Sequence, residues 1–199
     1  RGAAPINWAV INGEKETGVT TFFLKHEIDT GDIIDQERIE ISDYDNVGTV
    51  YDRLMHLGAE LTLKTVNSII DGTFSTKPQD ELLTDSEPTP APKIFRETCE
   101  IKPAEPAIKI HNLVRGLSPY PAAWVNMKLS DSKSITPKIY LTSVTDKPTP
   151  ASKTGKVFAA DGHLYIGASD TLVEILELQA PGKKRMKAAD FLRGTSVED

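Results

Sequence analysis

The stretch Gly18-Val-Thr-Thr-Phe-Phe-Leu-Lys-His-Glu-Ile-Asp29-Thr-Gly31-Asp32-Ile-Ile34 decides the fold of the first half of the chain. Its start, Gly18–Leu24, is rich in β-branched and aromatic residues and predicts a buried strand. A turn follows, and Ile33–Ile41 predicts a second strand. Ligands of open α/β sheets bind beyond the carboxyl ends of strands, so Asp29 is a candidate functional residue. Its carboxylate could be desolvated there, and a carboxylate held beside a histidine would be tuned for proton transfer. The alternative is a turn in which Asp29 only caps backbone amides.

Helical patterns surround these two strands. Residues 5–12 carry Pro5 in the first turn and are followed by Gly13, which predicts a helix. A longer helix is predicted from Asp45, a candidate N-cap, to Gly72. Its apolar residues are spaced three and four apart: Val47, Val50, Leu54, Leu57 and Leu61. Strands alternating with helices predict an α/β layer, and two strands are few enough to indicate only part of such a domain.

The second half has a different pattern. A short helix is predicted over 106–115 and another over 187–193. Between them, short strands are predicted at near-regular spacing, at 123–129, 137–145, 155–160, 163–168 and 172–179. Such spacing favours a small β-barrel. The alternating prolines of residues 87–92 predict a semi-rigid linker, so the predicted domains are 1–86 and 93–199.

Composition excludes several classes of protein. No run of apolar residues is long enough to span a membrane, and a single cysteine, Cys99, cannot form an internal disulfide, which favours a reducing cytoplasm. The net charge of −6 is unevenly distributed: residues 1–88 contain 7 Lys and Arg against 17 Asp and Glu, while residues 89–199 contain 16 against 12. This asymmetry favours a polyanionic partner for the second half, although a charged stretch can also be a solvated surface.

The only dense cationic cluster is predicted to contact phosphates, because neutralised phosphates release counterions. It comprises Lys183, Lys184, Arg185 and Lys187, and Arg115 is expected to extend it. A solvated turn is the alternative. Tyr120 and Trp124 could stack on bases, but their proline-bracketed turn favours packing between helix and barrel. His26 is expected at the surface, and no histidine pair has metal-ligand spacing, so no metal is expected.

Several segments together resemble the folate-dependent formyltransferases, and within them the branch that acts on methionyl-tRNA. The first is a Gly-x-Thr strand that leads to Asp29-x-Gly31. The others are Arg1-Gly-Ala-Ala-Pro-Ile6, Asn12-Gly-Glu14, Asp45-x-x-Gly48-Thr-Val-Tyr-Asp-Arg-Leu54, Arg115-Gly-Leu-Ser-Pro-Tyr-Pro-x-x-Trp124 and Leu178-Gln-Ala-Pro-Gly-Lys-Lys-Arg-Met186. The similarity covers essentially the whole chain.

The resemblance implies the C-terminal part of a Rossmann-like formyltransferase domain followed by an OB-like β-barrel. It implies transfer of a formyl group from 10-formyltetrahydrofolate to the amine of initiator methionyl-tRNA, without a membrane or metal, by a cytoplasmic monomer. Asp29 matches the family's catalytic aspartate, and the donor pocket is expected in the same loop: Ile28, Thr30, Gly31 and Asp32. The tRNA is expected on the basic cluster.

The family's catalytic Asn-x-His pair would precede Arg1, so the 199-residue chain is expected to be inactive. Two alternatives stay open. The chain could belong to a related enzyme that formylates an amino sugar or hydrolyses formyl-folate. It could also be a non-catalytic RNA-binding module.

Overall fold

The first part of the chain is a small α/β unit. The structure, a computed structural model, describes residues 2–81 and 89–197. The regular elements of its first part are α1 (Pro5–Ile11), β1 (Glu16–Phe22), β2 (Ile33–Glu40) and α2 (Val47–Ile70), followed by a 3-10 turn at Gln79–Glu81. β1 and β2 pair antiparallel, from Glu16 opposite Glu40 to Phe22 opposite Ile33. The predicted α/β layer is confirmed at this coarse level.

The prediction of a buried strand over 18–24 is wrong. β1 ends at Phe22, and its side chains alternate between exposed and half-buried positions. One face packs against α2, around a core of Val10, Ile41, Val50 and Leu54. Leu24, predicted to be inside the strand, lies beyond its end and is 89% exposed. A two-stranded hairpin covered on one face by a helix buries only alternate residues, because successive side chains of a strand point to opposite faces.

Helix α2 begins one residue later than predicted. Its N-cap is Asn46, whose side chain accepts a hydrogen bond from the Thr49 amide at 3.0 Å. Asp45, the predicted cap, instead accepts hydrogen bonds from the Ser42 amide and the Thr49 hydroxyl and pairs with Arg53. Both residue types accept hydrogen bonds well at a helix start, so the sequence alone does not separate them.

The second part is built on a sheet with the strand order β3-β6-β9-β8-β7, to which β10 is added beside β9. These strands are β3 (Ala123–Trp124), β6 (Lys138–Pro148), β7 (Val157–Ala160), β8 (His163–Gly167), β9 (Thr171–Gln179) and β10 (Met186–Lys187). A separate hairpin and two helices complete it: β4 (Met127–Lys128), β5 (Ser134–Ile135), α3 (Ala107–Leu117) and α4 (Ala188–Gly194). The pairing of the described strands leaves the sheet open, so a closed barrel is not seen.

A single apolar core joins α3, α4 and the main sheet. Its fully buried side chains include Ile110, Leu117, Ile139, Leu164 and Leu178. Residues 89–92 of the predicted linker are described, and the Ala4 amide donates a hydrogen bond to Ala91 O at 3.2 Å. Residues 87 and 88 lie outside the described residues. Among the described residues, no helix is both long and apolar enough to cross a membrane.

Helices α1 and α3 join the two parts. Val10 of α1 belongs to the first core, whereas the adjacent Ile11 packs against the second. The helices approach closely at Gly116, where an added Cβ would lie 2.9 Å from the Ile11 amide nitrogen. The Asn7 side chain donates a hydrogen bond to Gly116 O at 2.9 Å. This contact therefore requires glycine at position 116.

Arg115 bonds the second part to the turn before α2. Only 7% of this residue is exposed. Its Nη1 donates hydrogen bonds to the carbonyl oxygens of Ser42 and Asp45, both at 3.1 Å, and its Nε donates to Asn112 Oδ1 at 2.8 Å. A buried guanidinium is tolerated only when such acceptors satisfy its donors.

We expect Arg115→Ala to lower the free energy of unfolding by about 2–4 kcal/mol, because it removes a buried side chain and the hydrogen bonds that its guanidinium donates to Ser42 O, Asp45 O and Asn112. Urea denaturation followed by circular dichroism measures the change. Arg38→Ala is the matched control, since Arg38 forms an exposed ion pair with Glu16 and its loss should hardly move the midpoint. Equal midpoints for the two variants would contradict the role assigned to Arg115.

His111 makes stability depend on pH. Its Nδ1 lies 2.9 Å from Thr142 Oγ1, and burial, followed by the charge of Arg115, lowers the pKa of His111 below its usual 6.5, against a weaker opposing effect of Asp43. The unfolded chain therefore binds this proton more tightly. The stabilising contribution is complete above about pH 6.5 and is lost as the pH falls through the lower pKa of the folded state.

We expect the urea midpoint to fall between pH 7.5 and pH 5.5 more steeply for the unmodified chain than for His111→Gln. The glutamine amide keeps a partner for Thr142 but does not titrate. Carboxylates other than Asp43, which interacts with His111, are unaffected by the substitution, so the difference between the two pH profiles reports His111 together with its interaction with Asp43. Parallel profiles would show that His111 does not contribute.

Candidate functional site

The candidate catalytic residue lies in the loop that joins β1 to β2. Asp29 has a left-handed backbone, with φ of 59°, which aspartate adopts more readily than most residues. Its side chain is exposed, and within the described part of the chain its carboxylate has no hydrogen bond or ion pair. Within residues 2–81 and 89–197, the desolvation considered for Asp29 is therefore not found.

The backbone of this loop is held in place even though its carboxylate is exposed. Gln79, which follows α2, donates hydrogen bonds from Nε2 to Asp29 O at 3.0 Å and to Gly31 O at 2.7 Å. An added Cβ at Gly31 would lie 1.4 Å from Phe23 O, so only glycine fits. The Phe23 amide also donates to Asp32 O at 3.0 Å. These contacts position a carboxylate at a defined place on an otherwise exposed turn.

The other predicted donor-pocket residues surround Asp29 in the same loop. Thr30 is half-buried, and its hydroxyl donates to Glu27 O at 3.0 Å. The Asp32 carboxylate pairs with Lys25 at 2.7 Å, whereas Ile28 is exposed. Gln79 was not predicted from the sequence, because it lies 50 residues from Asp29 and carries no local motif.

The histidines do not form a catalytic or metal-binding group in the described residues. His26 is exposed in the loop, as predicted, and lies beyond the end of β1. His163 begins β8 and its Nδ1 lies 2.6 Å from Glu174 Oε1. A search of residues 2–81 and 89–197 finds no group of three His, Cys, Asp or Glu side chains arranged to hold a metal ion.

The predicted cationic cluster forms one exposed loop between β9 and β10. Lys183 and Lys184 have exposed side chains, and Lys187 is exposed at the end of β10. The Arg185 guanidinium stacks 4.6 Å from the Tyr140 ring centroid and pairs with Glu177. Arg115 is not brought to this loop, because it is buried in the contact between the two parts of the chain. The expectation that Arg115 extends the cationic surface is therefore wrong, because its guanidinium donates to the backbone carbonyl groups of Ser42 and Asp45 instead of facing solvent.

The loop borders a groove that sequence reasoning did not identify. This groove, of about 660 Å³, lies between residues 94–99, the turn at 120–122 and the loop that starts at Gln179. Trp124 is half-buried on its wall, where its Nε1 donates to Arg96 O at 3.0 Å. Tyr120 is 80% exposed, so the prediction that it packs between helix and sheet is wrong. We call this feature the aromatic groove.

The fold and the arrangement of the two parts agree with one family. The model for "Formyl transferase" matches residues 1–66, and the model for "Formyl transferase, C-terminal domain" matches residues 93–196. The chain belongs to the formyl transferase family. Among curated relatives, it is 48% identical to a methionyl-tRNA formyltransferase of Bacteroides fragilis, over 98% of this chain and 60% of that protein. It is 41% identical to a methionyl-tRNA formyltransferase of Porphyromonas gingivalis, over 99% of this chain and 61% of that protein.

The chain thus spans about 60% of the length of these relatives. Two solved structures support the fold alone. HypX from Aquifex aeolicus in complex with tetrahydrofolic acid matches with a TM-score of 0.67 and 20% identity, over 96% of this chain and 32% of that one. WlaRD, a sugar 3N-formyl transferase, matches with a TM-score of 0.66 and 19% identity, over 92% of this chain and 62% of that one.

Proposed function

We propose that this chain is part of an enzyme that transfers a formyl group from 10-formyltetrahydrofolate to the amine of initiator methionyl-tRNA. The observation that carries the proposal is the Asp29 loop, pinned by Gly31 and Gln79, in a chain whose curated relatives are methionyl-tRNA formyltransferases. Solved structures of the same fold were determined with tetrahydrofolic acid and with 5-N-formyl-THF, which supports a folate donor.

In this mechanism the role of Asp29 is proton transfer. The attacking amine must lose a proton as it bonds to the formyl carbon, and the bond from that carbon to the folate nitrogen must then break. A carboxylate beside the reacting groups can receive the proton of the amine through a histidine or a water molecule, and the same proton can be returned to the leaving folate nitrogen. A histidine and an asparagine supplied by sequence ahead of Arg1 would polarise the formyl oxygen. The formyl donor would be contacted by the other predicted pocket residues, because they lie in the same hydrogen-bonded loop as Asp29: Ile28, Thr30, Gly31 and Asp32.

The two parts of the chain would have different roles. Residues 1–86 would carry the catalytic aspartate and the donor pocket, and residues 87–92 would link the two parts. Residues 93–199 would form an OB-like barrel that contacts tRNA. Contact between β4 and β7 supports a barrel-like closure of the open sheet. Four exposed or partly paired cations support the tRNA surface: Lys183, Lys184, Arg185 and Lys187. Assembly as a monomer is part of the same proposal.

A chimera tests the catalytic role. It places, ahead of Arg1, the part of the Bacteroides fragilis relative that precedes the residue aligned with Arg1. We expect the chimera to formylate methionyl-tRNA and the 199-residue chain to give no turnover, because proton transfer and polarisation of the formyl oxygen are then incomplete. Within the chimera, Asp29→Asn should lower kcat by about 10²–10⁴ and change KM little.

Glu27→Gln is the matched control, since Glu27 is an exposed carboxylate of the same loop. It should leave kcat unchanged. Normal turnover by Asp29→Asn would exclude a catalytic role for Asp29, and turnover by the 199-residue chain would show that it is active by itself. Formylation of nucleotide sugars in preference to methionyl-tRNA would assign the chain to an amino-sugar enzyme instead.

The tRNA surface has its own test. Replacing Lys183, Lys184 and Arg185 together by alanine should weaken tRNA binding and lower the slope of log K against log salt by about 1 per lost phosphate contact. The control removes the same charge from three cations held in ion pairs elsewhere: Lys109, Lys133 and Arg193. An unchanged salt slope in the first variant would remove the loop from the interface.

A further inference from the structure

The aromatic groove presents two rings that the fold does not use. Phe95 is 58% exposed and Tyr120 is 80% exposed, and both line the groove. Neither ring stacks on another aromatic ring in the described part of the chain. Lys93 Nζ lies 5.6 Å from the Phe95 ring centroid. An aromatic ring left in solvent offers a flat apolar face without contributing to the core.

Cations border these rings. Arg96 and Lys138 line the groove, and none of the lining residues in the described part of the chain is Asp or Glu. The Arg96 guanidinium lies 5.6 Å from the Trp124 ring centroid, and Lys138 Nζ donates to Pro121 O at 3.3 Å. The loop that carries Lys183, Lys184 and Arg185, here called the cationic loop, begins at Pro181 and Gly182, which also line the groove. The groove therefore combines flat apolar faces with positive charge.

A second groove of similar size provides the contrast. It lies beside α1 and α3, has a volume of about 610 Å³, and is lined by charges of both signs, including Asp43, Glu100 and Glu105. Its carboxylates would repel a polyanion. Of these two grooves, it is the aromatic groove that combines exposed rings, on which a base can stack, with cations that can hold a phosphate.

This chemistry distinguishes unpaired from paired RNA. In a duplex both faces of each base are already stacked on neighbouring bases, so a protein reaches only the backbone and the base edges in the grooves. Unpaired bases expose their faces and stack on Phe, Tyr, Trp or Arg side chains. A volume of about 660 Å³ lies within the range of small-ligand sites, which suits one or two nucleotides.

We infer that the aromatic groove binds unpaired nucleotides of an RNA, with bases stacked on Tyr120 and Phe95 and phosphates on Arg96, Lys138 and the cationic loop. The inference rests on the proposed function, because the bound RNA would then be a tRNA. The unpaired segment is then either the 3′ end that carries the amino acid or a loop. Tyr120 is a binding residue here, and it takes no part in the chemistry.

The test uses the 199-residue chain and two labelled RNAs: single-stranded oligoadenylate and a blunt-ended duplex of two fully complementary strands, which has no unpaired nucleotides. Fluorescence anisotropy gives both affinities. Tyr120→Leu keeps an apolar side chain but removes the ring, and it should weaken single-strand binding by at least about 5-fold while leaving duplex binding unchanged. Tyr120→Phe should restore the affinity. Phe95→Ala supplies an independent variant.

Tyr44→Leu is the matched control, because Tyr44 is 99% exposed in the first part of the chain. It should change neither affinity. Trp124 gives a second readout: in a Trp8→Phe background it is the only tryptophan, so base binding should quench its fluorescence. Equal losses for both RNAs, or no loss for Tyr120→Leu and Phe95→Ala, would overturn the inference.

Binding of whole tRNA tests this inference separately from the proposed function. It also distinguishes the 3′ end from a loop as the source of the unpaired nucleotides. Removing the unpaired 3′ nucleotides should weaken binding to the unmodified chain and not to Tyr120→Leu if the 3′ end occupies the groove. A Tyr120→Leu effect that persists in the shortened tRNA would assign a loop. Binding of tRNA that is indifferent to both ring variants would overturn this inference alone, whereas single-strand binding without formylation by the chimera would overturn the proposed function alone.

Discussion

The buried guanidinium of Arg115 joins the two parts of the chain, and the arrangement of both candidate sites depends on it. It donates to the carbonyl oxygens of Ser42 and Asp45, which form the turn that starts α2. Close packing of α1 on α3, allowed by Gly116, lies beside this contact. Because hydrogen bonds to a buried charge are directional and costly to break, they define an orientation that apolar packing alone would leave less specific.

The same orientation relates the chemistry of the first part to the surface of the second. Helix α2 extends from the Arg115 contact, and Gln79, which follows it, holds the carbonyl groups of Asp29 and Gly31. On the other side, α3 leads directly into the turn that presents Tyr120 at the aromatic groove. A displacement of α3 against the first part would therefore move the groove relative to the Asp29 loop.

Charge follows this division. The first part carries most of the acidic residues, and in the second part Arg96 and Lys138 line a groove whose described lining residues include no Asp or Glu. Within the cationic loop, Arg185 differs from the lysines, because its guanidinium forms an ion pair with Glu177 and lies over the Tyr140 ring. Lys183 and Lys184 are exposed beside it. Electrostatic attraction of a polyanion thus depends on the distribution of charge, since the net charge of −6 would by itself repel one.

Local patterns were sufficient for the elements and for the family. The three-and-four spacing from Val47 predicted α2, the short strands of the second part were predicted near their observed positions, and the Asp29-x-Gly31 motif led to the formyltransferases. The choice of Asn46 over Asp45 as N-cap was not predictable, because both side chains accept hydrogen bonds and only the position of Ser42 and Arg53 separates them.

The sequence by itself determined the element types, the uneven charge and the loop that carries Asp29, because these follow from periodicity, composition and a short contiguous motif. Only the tertiary structure decided that Arg115 is buried, that Gln79 holds the Asp29 loop and that Phe95 and Tyr120 line one groove. Those facts join residues far apart along the chain, and a side chain's burial or partner depends on what packs against it from another element.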